Sequence, residues 1–159
     1  MPAKLHHAAY RCRDSAETRR FYEDFLGMRL AGALEINETK TGRAARVLHT
    51  FYEMEDGSYL AFFEAPEQPF EFKAQHDFDL HIALEVDAAT LEAMLARAKA
   101  EGREVRGPSD HGFIRSIYFR DPSGYVIELT CKAAGHGDAM DPAKNGAREI
   151  LERWSGKLA

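Results

Sequence analysis

The order of predicted elements in this chain of 159 residues indicates an α+β fold made of two βαβββ modules and a C-terminal helix. Three observations support this prediction. Strands and helices are predicted in the same order twice, and short motifs recur at matching positions of the two halves. Hydrophobic residues make up 45% of the chain, which is enough to bury a core without disulfides.

The first module is predicted at residues 4–66. A strand at 5–12 precedes Asp14 and Ser15, which are typical of a helix N-terminus. Apolar side chains then recur at helical spacing, and Gly27 ends the helix. The pattern predicts a helix at 15–26 and strands at 28–36, 45–54 and 58–63, with a tight turn at Asp56-Gly57.

The second module is predicted at residues 79–132, after a charged, proline-containing linker at 67–78. It repeats the order of the first module, with a strand at 80–86, a helix at 88–101, a short strand around Val105, and strands at 114–119 and 125–131. The tail, residues 133–159, begins with a Gly-rich break. It then carries a predicted amphipathic helix at 142–154, with Ile150, Leu151 and Trp154 on its apolar face.

The two modules share short motifs, which indicates an internal repeat. Residues 7–12 (HAAYRC) align with residues 81–86 (HIALEV), so a histidine opens each strand and an aspartate precedes each helix. Residues 57–62 (GSYLAF) align with residues 124–129 (GYVIEL). The first alignment pairs His7 with His81, and the second pairs Ala61 with Glu128.

Two histidines and one glutamate at these positions suggest a metal site. Glu128 lies within an apolar run at 125–131, where an unpaired carboxylate is costly to bury. Two imidazoles, one carboxylate and no thiolate suit iron(II) or manganese(II), with zinc or nickel as alternatives. The residues alone leave another interpretation open, in which each histidine is a partly buried strand residue and Glu128 faces solvent, since strand alternation allows either face.

Two longer motifs resemble the vicinal oxygen chelate superfamily. They are residues 21–27 (FYEDFLG) and 116–129 (SIYFRDPSGYVIEL), and the resemblance covers residues 4–132. The superfamily includes glyoxalase I, extradiol ring-cleaving dioxygenases, fosfomycin resistance proteins and bleomycin-binding proteins. The resemblance implies a curled mixed sheet around a metal-binding cleft, metal ligands at His7, His81 and Glu128, and a homodimer.

One departure from the glyoxalase I pattern separates the candidate activities. That pattern requires a fourth ligand on the last strand of the first module, where this chain has Ala61, or Phe62 if the alignment slips by one. Glu64 points to the opposite strand face from Ala61. Three ligands match the dioxygenases, and one carboxylate leaves a divalent metal with a net charge of about +1, which attracts a catecholate. A glyoxalase-type lyase or isomerase and a metal-free drug-binding protein are the alternatives.

Other side chains are candidates for roles beside the metal. His111 and His49 are candidate acids or bases near neutral pH, and Tyr118 is a candidate hydrogen-bond donor to a bound oxygen. Arg115 is a candidate partner for a substrate carboxylate or phenolate. An aromatic substrate wall is predicted from Phe51, Phe62 and Phe113. Core packing is the alternative for these phenylalanines and for Tyr118, and an exposed loop position is the alternative for His111.

Composition favours a small-molecule partner over nucleic acid or a membrane. A net charge of −5 argues against a nucleic-acid-binding module, which usually carries a basic face. No run approaches the ~20 apolar residues of a membrane span, and the first residues lack an apolar signal segment. Cys12 and Cys131 lie in separate apolar runs, which is typical of reduced core thiols in a cytoplasmic protein.

Overall fold

The computed structural model describes residues 1–156 and shows the α+β class, the two βαβββ modules and the C-terminal helix that the sequence predicts. The chain forms two compact units. The first contains Met1–His81 and Arg120–Val126, and the second contains Ile82–Phe119 and the chain from Ile127 onward.

The first unit holds a four-stranded sheet in the order β1-β4-β3-β2. Strand β1 runs parallel to β4, and the other neighbours are antiparallel. Helix α1 continues directly into a π-helical segment before β2 begins. In chain order the elements are β1 (His7–Arg11), α1 (Ser15–Arg19), the π-helical segment (Arg20–Phe25), β2 (Arg29–Glu38), β3 (Ala44–Glu53) and β4 (Tyr59–Glu64).

Aromatic packing joins the helix of the first unit to one face of this sheet. Tyr22, Tyr52 and Phe62 are fully buried. The ring centroid of Tyr22 lies 4.7 Å from that of Phe62 and 5.4 Å from that of Tyr52. Burying rings of this size gives a large share of the hydrophobic stabilisation of a small unit. Because side chains alternate along a strand, the opposite face of the sheet is left to His7, His49 and their neighbours.

A buried carboxylate fixes the turn at residues 120–126 against the first unit. Tyr22 Oη donates a hydrogen bond of 3.0 Å to Asp121 Oδ2, and the backbone N–H groups of Ser123 and Tyr125 donate to Oδ1 at 2.9 Å each. Burial raises the pKa of Asp121 above its ordinary value, and these hydrogen bonds oppose that rise. Burial also holds the pKa of Tyr22 well above its ordinary value, so Tyr22 remains a donor at neutral pH.

The second unit repeats the arrangement, with a sheet in the order β5-β8-β7-β6. Strand β5 is parallel to β8, and helix α2 buries Leu91, Met94, Leu95 and Ala98. The elements are β5 (Ile82–Glu85), α2 (Ala88–Ala100), β6 (Arg106–Asp110), β7 (Ile114–Arg120), β8 (Val126–Lys132), α3 (His136–Ala139) and α4 (Ala147–Gly156).

Two elements of the second unit differ from their predicted positions. The short strand expected around Val105 begins at Arg106, and a bulge between Arg106 and Ser109 accommodates Gly107 and Pro108 within the strand. Gly107 has a φ of +102°, and a Cβ there would lie 2.7 Å from Ser116 O, so glycine is needed for this close approach. The helix predicted at 142–154 is α4, which begins five residues later, and α3 lies within the predicted Gly-rich break.

Both cysteines are free thiols buried in the core, as the sequence predicts. Burial raises the pKa of the Cys12 thiol, which makes it a poor nucleophile. Among the described residues, no helix has the length and apolar character that crossing a membrane requires.

Candidate metal and substrate site

His7 opens β1 and lies within a group of rings on the first sheet. Its ring centroid is 5.7 Å from that of Phe51 and 6.4 Å from that of His49, both in β3. The strand register pairs His7 with Tyr59, and Tyr59 with Glu53, so these side chains share the sheet face opposite the helix. The structure therefore brings together three of the predicted site residues, His7, His49 and Phe51.

Ala61 occupies the same sheet face as His7 and brings no ligand atom to it. It pairs with Ala9 in β1 and with Phe51 in β3, and it is completely buried. Glu64 offers no substitute, since its Oε2 accepts a hydrogen bond of 2.8 Å from Ser15 N at the start of α1. The first unit thus has no carboxylate at the position where the glyoxalase I pattern places one.

His49 is almost entirely buried, with 7% of its surface exposed. Its Nδ1 lies 3.0 Å from Phe62 O, and its ring stacks on that of Phe63 with centroids 3.6 Å apart and an interplanar angle of 7°. Phe62 itself lies on the opposite face, packed against Tyr22 with no exposed surface. That placement makes Phe62 a core residue and removes it from the predicted substrate wall.

Glu128 is the buried carboxylate of the second unit. It is 5% exposed and stands beside Ala83 of β5. Tyr118 Oη donates to Glu128 Oε1 at 3.3 Å, and His111 Nε2 lies 2.9 Å from the same hydroxyl. Because Tyr118 donates its proton to Glu128, His111 donates to Tyr118 Oη. These contacts connect the buried carboxylate to an exposed imidazole, so the structure brings together three residues that the sequence singled out separately.

The environment keeps Tyr118 protonated. Burial, and then the charge of Glu128, raise the pKa of Tyr118 above its ordinary value. The Arg106 guanidinium lies 5.4 Å from the centroid of the Tyr118 ring, close enough for a cation–π interaction. Sequence patterns do not indicate a role for Arg106, because a bulged strand containing glycine and proline has no periodicity that predicts where the side chain points.

Arg115 and Phe113 make other contacts. Arg115 forms an ion pair of 2.6 Å with Glu92 of α2, and that hydrogen bond raises the pKa of Arg115. The ring of Phe113 lies 6.3 Å from that of His136 in α3. Neither contact involves Glu128 or Tyr118, so both residues lie outside the group that these two side chains form with His111.

His81 directly precedes β5, and its ring is oriented by the backbone. Its Nδ1 lies 2.9 Å from Asp77 O. A carbonyl oxygen only accepts, so Nδ1 carries the hydrogen of this bond. Metal-ligating histidines are commonly oriented by such a hydrogen bond from the second ring nitrogen.

His7, His81 and Glu128 are the metal ligands that the sequence predicts. Residues 1–156 contain no group of three or more His, Cys, Asp or Glu side chains that could hold a metal ion. His7 and His81 belong to the first unit, and Glu128 belongs to the second. The ligand set therefore stays a prediction.

The first unit also contains a cavity that the sequence did not indicate. Its volume is about 330 Å³. Arg11 Nη2 donates to Gln68 O at 2.9 Å, while its buried Nε has no hydrogen-bond partner among the described residues. The only indication of this cavity in the sequence is Arg11, a charged residue at the end of an apolar strand. The cavity is lined by Arg11, Pro69, Phe70, Glu71, Phe72, Lys73, Gln75, Leu80 and Tyr125.

The fold agrees with comparisons to known proteins. Residues 4–129 match the Glyoxalase/Bleomycin resistance protein/Dioxygenase superfamily. Lactoylglutathione lyase of Haemophilus influenzae is 35% identical over 126 residues, which cover 77% of this chain and 88% of that protein. The chain belongs to this superfamily, the vicinal oxygen chelate proteins.

Solved structures show the same fold at lower identity. A glyoxalase/dioxygenase from Nostoc punctiforme has a TM-score of 0.60 and 23% identity, over 82% of this chain and 92% of that one. The fosfomycin resistance protein FosX from Listeria monocytogenes has a TM-score of 0.61 and 20% identity, over 86% of this chain and 98% of that one. That FosX structure holds manganese(II) and a sulfate ion.

Proposed function

We propose that this chain is a metal-dependent enzyme that acts on a catechol-type or other bidentate oxygen substrate, in the manner of an extradiol dioxygenase. His7, His81 and Glu128 are the proposed ligands of one divalent cation, with iron(II) or manganese(II) favoured by two imidazoles and one carboxylate. When bound, such a cation supplies Lewis-acid binding of two neighbouring substrate oxygens.

The connected group of His111, Tyr118 and Glu128 is the observation that carries this proposal. Glu128 is a buried carboxylate that accepts a hydrogen bond from the Tyr118 hydroxyl. The exposed imidazole of His111 contacts the same hydroxyl and so connects the carboxylate to solvent. Tyr118 holds its proton at Oη, and His111 is placed to exchange a proton with solvent. These are the groups needed to take up and release the proton of a substrate hydroxyl.

Ala61 favours dioxygenase-like chemistry over isomerisation. Moving a proton beside a carbonyl requires a poised base, and the glyoxalase I pattern supplies it from the carboxylate that Ala61 lacks. Three protein ligands leave open positions on a six-coordinate cation for a bidentate substrate and a further small ligand. The aromatic side chains of Phe51 and Phe63 on the same sheet face as His7 suit a planar substrate.

The active form in this proposal is a homodimer. One copy does not gather the three ligands among its described residues, and most soluble oligomers are symmetric pairs. A second copy that brings its own Glu128 to His7 of the first copy completes a site, and symmetry then generates an identical second site. The homodimer is thus the form in which this proposal brings the three ligands together.

A lyase or isomerase of the glyoxalase type is the second candidate, supported by the 35% identity to lactoylglutathione lyase. The two candidates differ in their need for oxygen. A lyase forms or breaks its glutathione adduct without oxygen, whereas a dioxygenase consumes oxygen with its aromatic substrate.

Oxygen uptake tests the proposal. The protein is reconstituted anaerobically with iron(II) and then mixed with a panel of catechols in oxygenated buffer. We expect oxygen consumption that exceeds iron(II) without protein and that falls at least about 100-fold in Tyr118→Phe, since one general acid or base contributes roughly 10²–10⁴-fold. Oxygen-independent formation of lactoylglutathione, together with no oxygen uptake on any catechol, would assign the chain to the lyases.

A further inference from the structure

We infer that α4 is an interaction surface that pairs with α4 of a second copy of this chain. The helix lies outside residues 4–129, which match the superfamily, so the contact belongs to this chain's own tail. It goes beyond the proposed function, because it involves none of the proposed metal ligands and requires no bound metal.

The helix is exposed on all sides within residues 1–156. All ten of its residues are exposed, and the exposed fractions of Ile150, Leu151 and Trp154 are 53%, 65% and 63%. At its start, Asn145 Oδ1 accepts a hydrogen bond of 2.9 Å from Ala147 N. An isolated helix of fewer than about 12–15 residues is only marginally stable in water, so one terminal hydrogen bond does not maintain it. Stable formation of α4 therefore requires a surface that covers its apolar side chains.

The apolar side chains of α4 form one stripe. Ala147, Ile150, Leu151 and Trp154 recur at spacings of three and four residues, which places them on the same helix face. We call these four residues the apolar stripe. A narrow stripe on an otherwise polar helix is typical of packing against one other helix.

The charges beside the apolar stripe favour a second copy as the partner. Arg148 and Glu152 lie on one flank of the stripe. Glu149 and Arg153 lie on the other. In an antiparallel pair with two-fold symmetry, each flank meets the same flank of the second copy in reverse order. Arg148 then faces Glu152 of the second copy, and Arg153 faces Glu149 in the same way.

Electrostatics also favour this pair over other partners. Antiparallel packing places the N-terminus of each helix beside the C-terminus of the other, which the helix dipoles favour. Two arginines and two glutamates leave the flanks without net charge. An anionic membrane surface or a nucleic acid attracts a basic helix, and α4 is not basic. Its surface is instead complementary to itself.

Fluorescence of Trp154 tests the inference, because Trp154 is the only tryptophan of the chain and lies in the apolar stripe. The full-length, metal-free protein is titrated at low salt from about 1 μM to 1 mM. We expect the emission maximum to move to shorter wavelength as the concentration rises, since pairing removes the indole ring from water. Sedimentation equilibrium over the same range should show association in parallel.

Exchange of charges identifies the partner. An acidic variant carries Arg148→Glu with Arg153→Glu, and a basic variant carries Glu149→Arg with Glu152→Arg. Each variant alone should associate at least about tenfold more weakly than the unmodified protein, because every facing pair then has like charges. An equimolar mixture of the two should recover both the association and the emission shift, since every facing pair is again opposite in charge.

Two controls match these variants. Arg43→Glu with Arg46→Glu makes the same change in net charge at exposed arginines near the start of β3 and should leave association within about twofold. Leu151→Gln keeps helix propensity but removes part of the apolar stripe, so it should weaken association at least about tenfold. Leu34→Gln, at an exposed leucine of β2, should not.

Three results would overturn the inference. Emission at short wavelength that is independent of concentration and persists in both charge variants would place the apolar stripe against its own chain. Emission typical of an exposed indole throughout the titration would show that nothing covers it. A mixture of the charge variants that fails to recover association would exclude a second α4 as the partner.

The readout is local to α4 and requires neither metal nor oxygen. Its failure would leave the proposed ligand set and oxygen uptake unaffected. Absence of oxygen uptake would likewise leave the pairing of α4 unaffected, so the two proposals fail separately.

Discussion

Glu128→Gln is expected to bind manganese(II) more than about 100-fold more weakly than the unmodified protein, since even residues that only orient a ligand cost 10–100-fold when changed. Glu128 is the single anionic ligand of the proposed set. The amide has nearly the same shape and still accepts from Tyr118, so the fold is preserved while the charge is lost. Titration of manganese(II) followed by electron paramagnetic resonance of the free ion measures the change.

Glu64→Gln is the matched control for this measurement. Glu64 ends the last strand of the first module, and its carboxylate accepts a hydrogen bond from Ser15 at the start of α1. Its change to glutamine should leave manganese affinity within about twofold, because an amide oxygen still accepts from that N–H. Equal losses in the two variants, or an unchanged affinity in Glu128→Gln, would remove Glu128 from the ligand set.

Asp121→Ala is expected to lower the free energy of unfolding by about 3 kcal/mol or more. The change removes the acceptor of three buried donors, and each buried donor left unpaired costs roughly 1–3 kcal/mol. Urea unfolding followed by circular dichroism measures the loss. Asp87→Ala, which removes the exposed N-cap of α2, should cost clearly less. A loss no larger than that of Asp87→Ala would contradict the structural role of Asp121.

The pH dependence of Asp121→Asn gives a second test of this network. Burial raises the folded-state pKa of Asp121 above the ordinary 3.8, so the folded state holds this proton more tightly than the unfolded state. The stability of the unmodified protein relative to Asp121→Asn should therefore fall as pH rises from about 3.8 through the raised pKa, and then level off. A relative stability that increases over that interval would show that the hydrogen bonds to Asp121 lower its pKa by more than burial raises it.

Sequence patterns predicted the two modules because their signals are local. Asp14 and Asp87 cap the helices that follow them, and both aspartates accept the backbone hydrogen bond that this position favours. Alternation along β8 separates Glu128 from Ile127 and Leu129, which belong to the core. The π-helical segment after Arg19 had no such signal, since its apolar spacing also fits an ordinary helix.

The features of the site that sequence patterns could not supply depend on contacts between residues distant in sequence. Phe62 was predicted to line the substrate wall, and its place against Tyr22 became visible only when β4 was paired with β3. Arg115 was predicted as a candidate partner for a substrate carboxylate or phenolate, and its ion pair with Glu92, 23 residues away in sequence, required coordinates. The group of His111, Tyr118 and Glu128 was predicted residue by residue, whereas its hydrogen-bond order required coordinates.

Complementation between His7→Ala and Glu128→Gln tests the central claim most directly. Each variant alone lacks one proposed ligand at both sites of a homodimer. In a mixed dimer, the Glu128→Gln copy supplies His7 and the His7→Ala copy supplies Glu128, so one complete site forms. We predict that unfolding and refolding the mixture restores manganese(II) binding of normal affinity, at one ion per mixed dimer. A mixture that binds as weakly as its two parents would contradict a site shared between copies.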